Sequence, residues 1–139
     1  MMKIRDIMAT NVVTAGPDET IKEVILRIRK KNISGLPVVD KNNKVLGTFS
    51  EADIAKALPD ILNEAQYIPL VDVRELTAEP IKRVMHMPAV TIGADATVEE
   101  AATIVLEKFR HRLPVVDAEG KLVGLISLGD ILKALLHKL

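Results

Sequence analysis

Two copies of one short pattern hold the residues best suited to chemistry. Ser50-x-x-Asp53 and Ser127-x-x-Asp130 each set a hydroxyl and a carboxylate three residues apart, directly after the apolar runs Val45 to Phe49 and Leu122 to Ile126. A carboxylate held at a helix start can accept hydrogen bonds from a pair of ligand hydroxyls, and it can equally cap the helix and complement its dipole. A second group is cationic: Arg110-His111-Arg112 stands just before Leu113-Pro114, where the first copy has Ile33-Ser34-Gly35 before Leu36-Pro37. The planar fork of arginine suits a phosphate, although Lys108, Arg110 and Arg112 could also complement the C-terminus of a preceding helix.

These patterns belong to an internal repeat. Leu36 to Asp53 recurs at Leu113 to Asp130, and the offset of 77 residues holds without a gap from Ile4/Ile81 to Leu58/Leu135. About 22 of the 55 aligned pairs are identical, which duplication explains and shared composition does not. Each copy reads as β-α-β-β-α. A brief strand at Val12 to Thr14 enters the turn Gly16-Pro17-Asp18, and its counterpart is Val90-Thr91 before Gly93. Thr20-x-x-Glu23 and Thr97-x-x-Glu100 are capping boxes that open amphipathic helices. Their apolar stripes are Ile21, Val24, Ile25 and Ile28, then Val98, Ala101, Ala102, Val105 and Phe109. Leu36 to Val39 and Leu113 to Val116 are buried strands, each followed by a polar turn, a second strand and the Ser-capped second helix.

The sequence predicts a first motif over 1–62, an ordered connection over 63–80 and a second motif over 81–139, intertwined as one module. Units of under about 60 residues have thin cores, so the copies are expected to share one. The connection is too apolar for a flexible linker, and suggests a helical turn near Ile61 to Ala65 and an extended piece at Ile68 to Val73.

Composition narrows the classes of function. Nineteen basic and nineteen acidic residues balance, which leaves no global electrostatic case for nucleic acid or an anionic membrane. The chain has no cysteine, so disulfides and thiolate sites are excluded, and no metal-ligand spacing or catalytic constellation is present. No apolar run approaches the roughly 18 residues of a membrane span, and a cytoplasmic protein is expected. Apolar residues make up 48% of the chain with mean hydropathy +0.20, an excess that predicts a partner surface. Ile54, Ala55 and Leu58, with Ile131, Leu132, Leu135 and Leu136, are the expected stripes of a homodimer.

Leu-Pro-Val-Val-Asp before the turn and Gly-x-h-Ser-x-x-Asp at the second helix, as Gly47 to Asp53 and Gly124 to Asp130, resemble the CBS motif. With two copies in order, the chain resembles a stand-alone CBS pair, or Bateman module. The resemblance implies an α/β fold of two motifs related by pseudo-twofold symmetry, with two clefts between them for adenosine-containing ligands and no catalysis. It makes Asp53 and Asp130 the ribose ligands. By similarity to the γ subunit of AMP-activated kinase, it combines Asp53 and Ser50 with His111 and Arg112, which reach the phosphates, and Asp130 and Ser127 with Ser34 and Gly35. Adenine would lie against Val12 and Val13 in one site and Ala89 and Val90 in the other, while His86 and His137 receive no role. The implied function is a regulatory module that senses AMP, ADP or ATP for an unknown effector protein and needs no cofactor. The alternatives are S-adenosylmethionine binding, a nucleic-acid-binding protein and an interaction scaffold. The cleft with Ser34 and Gly35 in place of fixed cations should bind more weakly or take a less negative ligand.

Overall fold

A computed structural model of the protein describes residues 2–55, 73–108 and 110–137. The chain forms two compact units. The N-terminal unit comprises Thr14–Asp40 and Leu46–Met87, and the C-terminal unit comprises Met1–Val13, Lys41–Val45 and Pro88–Leu139. Each unit thus contains most of one repeat together with the segment that leads into the other.

In the N-terminal unit, Thr20 accepts a hydrogen bond from the Glu23 N–H at 3.2 Å and opens α1, Ile21–Lys30. Ile21, Val24 and Ile28 of its stripe are buried, and Ile25 sits half-buried at the margin. Past the C-terminus, Asn32 turns the chain with φ 53°, a left-handed conformation that asparagine tolerates better than most residues. Strands β1, Gly35–Val39, and β2, Val45–Ser50, form a two-stranded sheet. Period-2 alternation directs Gly47 and Phe49 of β2 inward, where Phe49 is among the largest fully buried side chains. Residues 51–55, designated α2, are helical.

The strand expected at Val12 to Thr14 is not formed. It contracts to one parallel bridge between Ala15 and Val38, made by Ala15 N–H to the Pro37 carbonyl at 3.1 Å and Val39 N–H to the Ala15 carbonyl at 2.9 Å. Pro17 lacks an N–H and cannot continue the ladder. An ion pair secures the segment instead. Arg27 Nη2 meets Glu19 Oε1 at 2.5 Å, and Arg27 Nη1 donates to Glu19 Oε2 and to the Thr14 carbonyl, both at 2.9 Å. Glu19 Oε2 also accepts the Gly16 N–H at 2.8 Å, so both neighbours of Ala15 are held.

A helix α3, Val73–Ala78, occupies the end of the connection, where sequence periodicity had signalled none. Of the pieces expected there, Ile61 to Ala65 and Ile68 to Asp72 lie outside the described residues, and Val73 opens α3. The chain then forms one 3-10 turn, Ile81–Arg83, with Ile81 fully buried. Ile81 N–H donates to the Glu19 carbonyl at 2.8 Å and Ile21 N–H to the Glu79 carbonyl at 2.9 Å. His86 and Thr48 exchange N–H···O bonds of 2.9 and 3.0 Å, which pairs the edge of β2 with this segment.

The C-terminal unit repeats the plan with a longer first strand. β3, Ile92–Gly93, runs parallel to β4, Arg112–Val116, which pairs antiparallel with β5, Leu122–Ser127. β3 thus begins two residues after the expected start at Val90, at the apolar residue that the core accepts: Ile92 is buried while Val90 is half-buried. Helices α4, Val98–Lys108, and α5, Leu128–Leu136, bury Val98, Ala101, Val105, Ile131 and Ala134 in one cluster with Ile4, Ile92, Leu113, Val115 and Ile126. Ala102 is half-buried, and Phe109 lies outside the described residues. Ile4 comes from the 3-10 turn Ile4–Asp6 of the first repeat's lead, where Ile4 N–H donates to the Ala96 carbonyl at 2.9 Å and Val98 N–H to the Met2 carbonyl at 3.2 Å. Ala9 and Leu125 exchange two 2.9 Å bonds, as His86 and Thr48 do in the other unit.

The repeated glycines permit these edge pairings. A Cβ at Gly47 would collide with the His86 carbonyl oxygen, and one at Gly124 would lie 2.9 Å from the Ala9 carbonyl and 2.5 Å from Met8 Sδ. Gly47→Ala is therefore expected to cost about 1–3 kcal/mol in urea unfolding, because the obstacle is backbone. Gly124→Ala should cost less, since the methionine can swing and the Ala9 carbonyl at 2.9 Å has less far to shift than that of His86, and Gly93→Ala, with nothing near its Cβ, should be close to neutral.

The Glu19 carboxyl is held below the usual carboxylate range, first by its hydrogen bond to Arg27, against the opposing effect of burial, with the Gly16 N–H and the charge of Arg27 adding to the lowering. A depressed folded-state pKa contributes stability that is present above the unfolded value and lost as pH falls through the folded one. Glu19→Gln should accordingly be less stable than wild type at pH 7. The gap should stay constant between pH 6 and 8 and close as pH drops below about 4, as read by denaturant midpoints across that range.

Candidate functional site

Both Ser-x-x-Asp patterns are built as helix starts. Ser127 caps α5, its Oγ accepting the Asp130 N–H at 3.1 Å while Asp130 Oδ2 accepts the Ser127 N–H at 3.0 Å. In the N-terminal unit, Asp53 Oδ2 accepts the Ser50 N–H at 2.8 Å and lies 3.4 Å from Ser50 Oγ. Among the described residues only Oδ2 of each carboxylate is engaged, which leaves Oδ1 able to accept from a ligand. Capping and binding are thus compatible on one side chain.

The cationic pair lies beside one of these starts. The β4–β5 register sets Arg112 opposite Ser127, and Leu128 N–H donates to the His111 carbonyl at 2.7 Å. His111, Arg112, Ser127 and Asp130 therefore gather at one end of the C-terminal sheet. Arg112 is half-buried, and burial lowers its pKa from the usual guanidinium value without removing its charge at neutral pH. Ser50 and Asp53 belong to the N-terminal unit, with exposed Ser34 at the entry to β1 and Gly35 buried as its first residue. Val12, Val13, Ala89 and Val90 are all half-buried in the C-terminal unit, and Val90 packs against its core cluster.

A hollow of about 270 Å³ in the C-terminal unit is lined by Met2, Ile7, Asp130, Lys133, Ala134 and His137. It brings Lys133 and His137 to the same place as Asp130, a grouping absent from the sequence reading. The spacing i, i+3, i+7 along α5 was a usable signal, whereas the contribution of Met2 and Ile7 had none. A shallower depression on the same helix is lined by Gly129, Leu132, Lys133, Leu136 and His137. Among the described residues no cluster of His, Asp and Glu could hold a metal ion, and no helix is long and apolar enough to cross a membrane.

The CBS domain family model matches residues 4–60 and 81–137. The chain is 34% identical over 131 residues to inosine-5'-monophosphate dehydrogenase of Methanocaldococcus jannaschii, an alignment that takes in 94% of this chain and 23% of the length of that enzyme. The structure of CBSX2 of Arabidopsis thaliana in complex with AMP superposes with TM-score 0.82 at 25% identity, covering 99% of this chain and 98% of that one. The CBS domain pair of protein MJ0100, in complex with 5-methylthioadenosine and S-adenosyl-L-methionine, gives TM-score 0.79 at 27% identity, covering 100% and 99%. The repeat, the two Ser-x-x-Asp helix starts and the match of both copies place this chain in the CBS domain family, as a tandem CBS pair.

Proposed function

We propose that the chain is a non-catalytic regulatory module that binds an adenosine-containing ligand, AMP, ADP or ATP, and signals occupancy to an effector protein. The observation that carries this reading is the pair of aspartates in the Ser-x-x-Asp helix starts, each with one oxygen committed to the serine N–H and the other available. Membership of a family in which CBSX2 holds AMP supports it. Asp53 and Ser50 take the ribose hydroxyls of one ligand, Asp130 and Ser127 those of a second, and His111 and Arg112 supply charge for phosphate. Ser34 and Gly35 offer a hydroxyl and backbone groups, and Val12, Val13, Ala89 and Val90 provide apolar surface for adenine. Regulation would arise because ligand favours one of two arrangements of the protein by its difference in affinity for them. S-adenosylmethionine is the second ligand reading, favoured by the complex of the MJ0100 pair.

We also propose a cytoplasmic homodimer. The stripe expected to make the contact changes in the structure: Ile131 is buried and Leu135 packs against the core, while Leu132 and Leu136 are 50% and 65% exposed. Leu58 lies outside the described residues.

Two outcomes are expected. Arg112→Ala and Asp53→Ala should each weaken AMP binding in calorimetry by roughly ten- to hundredfold, as loss of a hydrogen bond to a charged group implies, whereas adenosine should be nearly insensitive to Arg112→Ala. With one tyrosine and no tryptophan in the chain, a bound nucleotide will also dominate the ultraviolet spectrum near 260 nm after gel filtration; an unchanged AMP affinity in both variants would reverse the site assignment. Separately, light scattering at tens of micromolar should give the dimer mass for wild type and a lower mass for Leu136→Lys.

A further inference from the structure

The backbone around Ala15 is fixed more completely than a single bridge requires. In the peptide group before Ala15, Arg27 Nη1 donates to the Thr14 carbonyl and the Ala15 N–H donates to the Pro37 carbonyl. In the peptide group after it, the Ala15 carbonyl accepts the Val39 N–H and the Gly16 N–H donates to Glu19 Oε2. Strand β1 thus supplies one partner to each group, and the Glu19–Arg27 pair supplies the other. Arg27 Nη1 and Glu19 Oε2 are also bonded to each other at 2.9 Å, which closes a ring of hydrogen bonds around Ala15. With all four groups engaged, neither peptide plane can rotate without breaking a bond, so both dihedrals of Ala15 are set.

In the second repeat the places of Glu19 and Arg27 hold Ala96 and Ile104, and Ile92 stands where the first repeat has Ala15. There, pairing with β4 and a larger buried side chain hold the segment. Apolar residues are therefore sufficient for a folded lead-in, and they avoid the desolvation cost of a half-buried charged pair. What the ionic ring adds is orientation. We propose that Glu19 and Arg27 are positioning residues for adenosine binding: by locking the peptide groups on both sides of Ala15 they set the backbone at Thr14, and with it the placement of Val12 and Val13 as the apolar surface for adenine. The proposal rests on the reading of Val12 and Val13 given above, and in this role neither charged side chain touches the ligand. The competing account is that the pair only replaces the strand that Pro17 prevents, in which case binding follows stability.

Calorimetry with adenosine and AMP on the full chain separates these accounts. Arg27→Met removes the donor to the Thr14 carbonyl and should weaken adenosine and AMP by the same factor. That factor is about three- to tenfold if the loosened segment holds its binding arrangement about a third to a tenth of the time. A larger loss for AMP than for adenosine would make Arg27 a phosphate contact and overturn the proposal. The reversed pair, Glu19→Arg with Arg27→Glu, keeps opposite charges together. However, an arginine at position 19 cannot accept the Gly16 N–H, and a carboxylate at position 27 cannot donate to the Thr14 carbonyl. Its melting temperature should rise above that of Arg27→Glu alone while adenosine affinity stays low; recovery of affinity together with stability would leave the pair a structural role only. Hydrogen exchange gives a second readout: Arg27→Met should speed exchange at the Ala15 and Val39 amides, and unchanged protection there overturns the proposal. Arg29→Met breaks a more exposed pair on the same helix, Arg29 to Glu51 at 3.1 Å, and should bind adenosine as wild type does. An equal loss in that variant counts against the ring. The double variant Val12→Ala/Val13→Ala tests the underlying reading by itself. If it weakens adenosine and Arg27→Met does not, only the positioning role falls. If both variants bind as wild type does, or if wild type binds neither ligand, both readings fall.

Discussion

The exchange of lead segments is the constraint on which the rest of this structure depends. Each repeat supplies two helices and a strand pair, but it leaves open the backbone groups of its strand-to-helix turn and the outer edge of its second strand. The other repeat's lead meets them, Ile4 and Ala9 in the C-terminal unit and Ile81 and His86 in the N-terminal one. Without the other repeat's lead these groups would turn to water, and an isolated repeat would forgo several hydrogen bonds worth about 0.5–1.5 kcal/mol each together with the apolar burial that the lead brings. Ile4 and Ile81 are fully buried, worth about 1.5–3 kcal/mol each. The glycines at 47 and 124 follow from the same exchange, because each lies where the incoming backbone passes too close for a side chain.

This arrangement explains how the aspartates can serve two ends. A helix that begins at the end of a strand needs its first N–H groups met locally: Ser127 Oγ takes the Asp130 N–H and Asp130 the Ser127 N–H in the C-terminal unit, and Asp53 takes the Ser50 N–H in the N-terminal one. A cap of this kind contributes about 0.5–2 kcal/mol, so the residues would be retained for folding alone. Their value for binding comes from the oxygen left over and from the rigidity of the helix start that holds it. The register of β4 against β5 then brings Arg112 to Ser127, so the sheet that anchors the cap also positions the cation.

Duplication has not kept the copies equivalent. Glu19 and Arg27 clamp the entry of the first repeat, and the residues 77 positions on are Ala96 and Ile104, which cannot form an ion pair. The second repeat has the two-residue strand β3 at that place, where the first has a single bridge. A bidentate, half-buried pair with a backbone carbonyl and a backbone N–H attached is worth more than an exposed surface bridge, and here it takes over work that strand pairing does in the other copy.

Sequence alone was sufficient for everything set by local periodicity and by the repeat. The capping threonines and serines, the core stripes of α1 and α4, the paired strands and the family resemblance are all patterns within about twenty residues, where side-chain spacing dictates which face is buried. The first strands were misplaced by one to three residues, because in so short a segment the pairing partner, Val38 or Val115, decides which residue bridges. Helix α3 was missed since six residues carry too little periodicity to register. Only tertiary structure could decide which lead segment completes which unit, why Leu135 is covered while Leu136 is not, and that Lys133 and His137 share a hollow with Asp130 beside Met2 and Ile7. Each of those joins residues more than a hundred positions apart or depends on the packing of a second element, and neither composition nor spacing encodes such contacts.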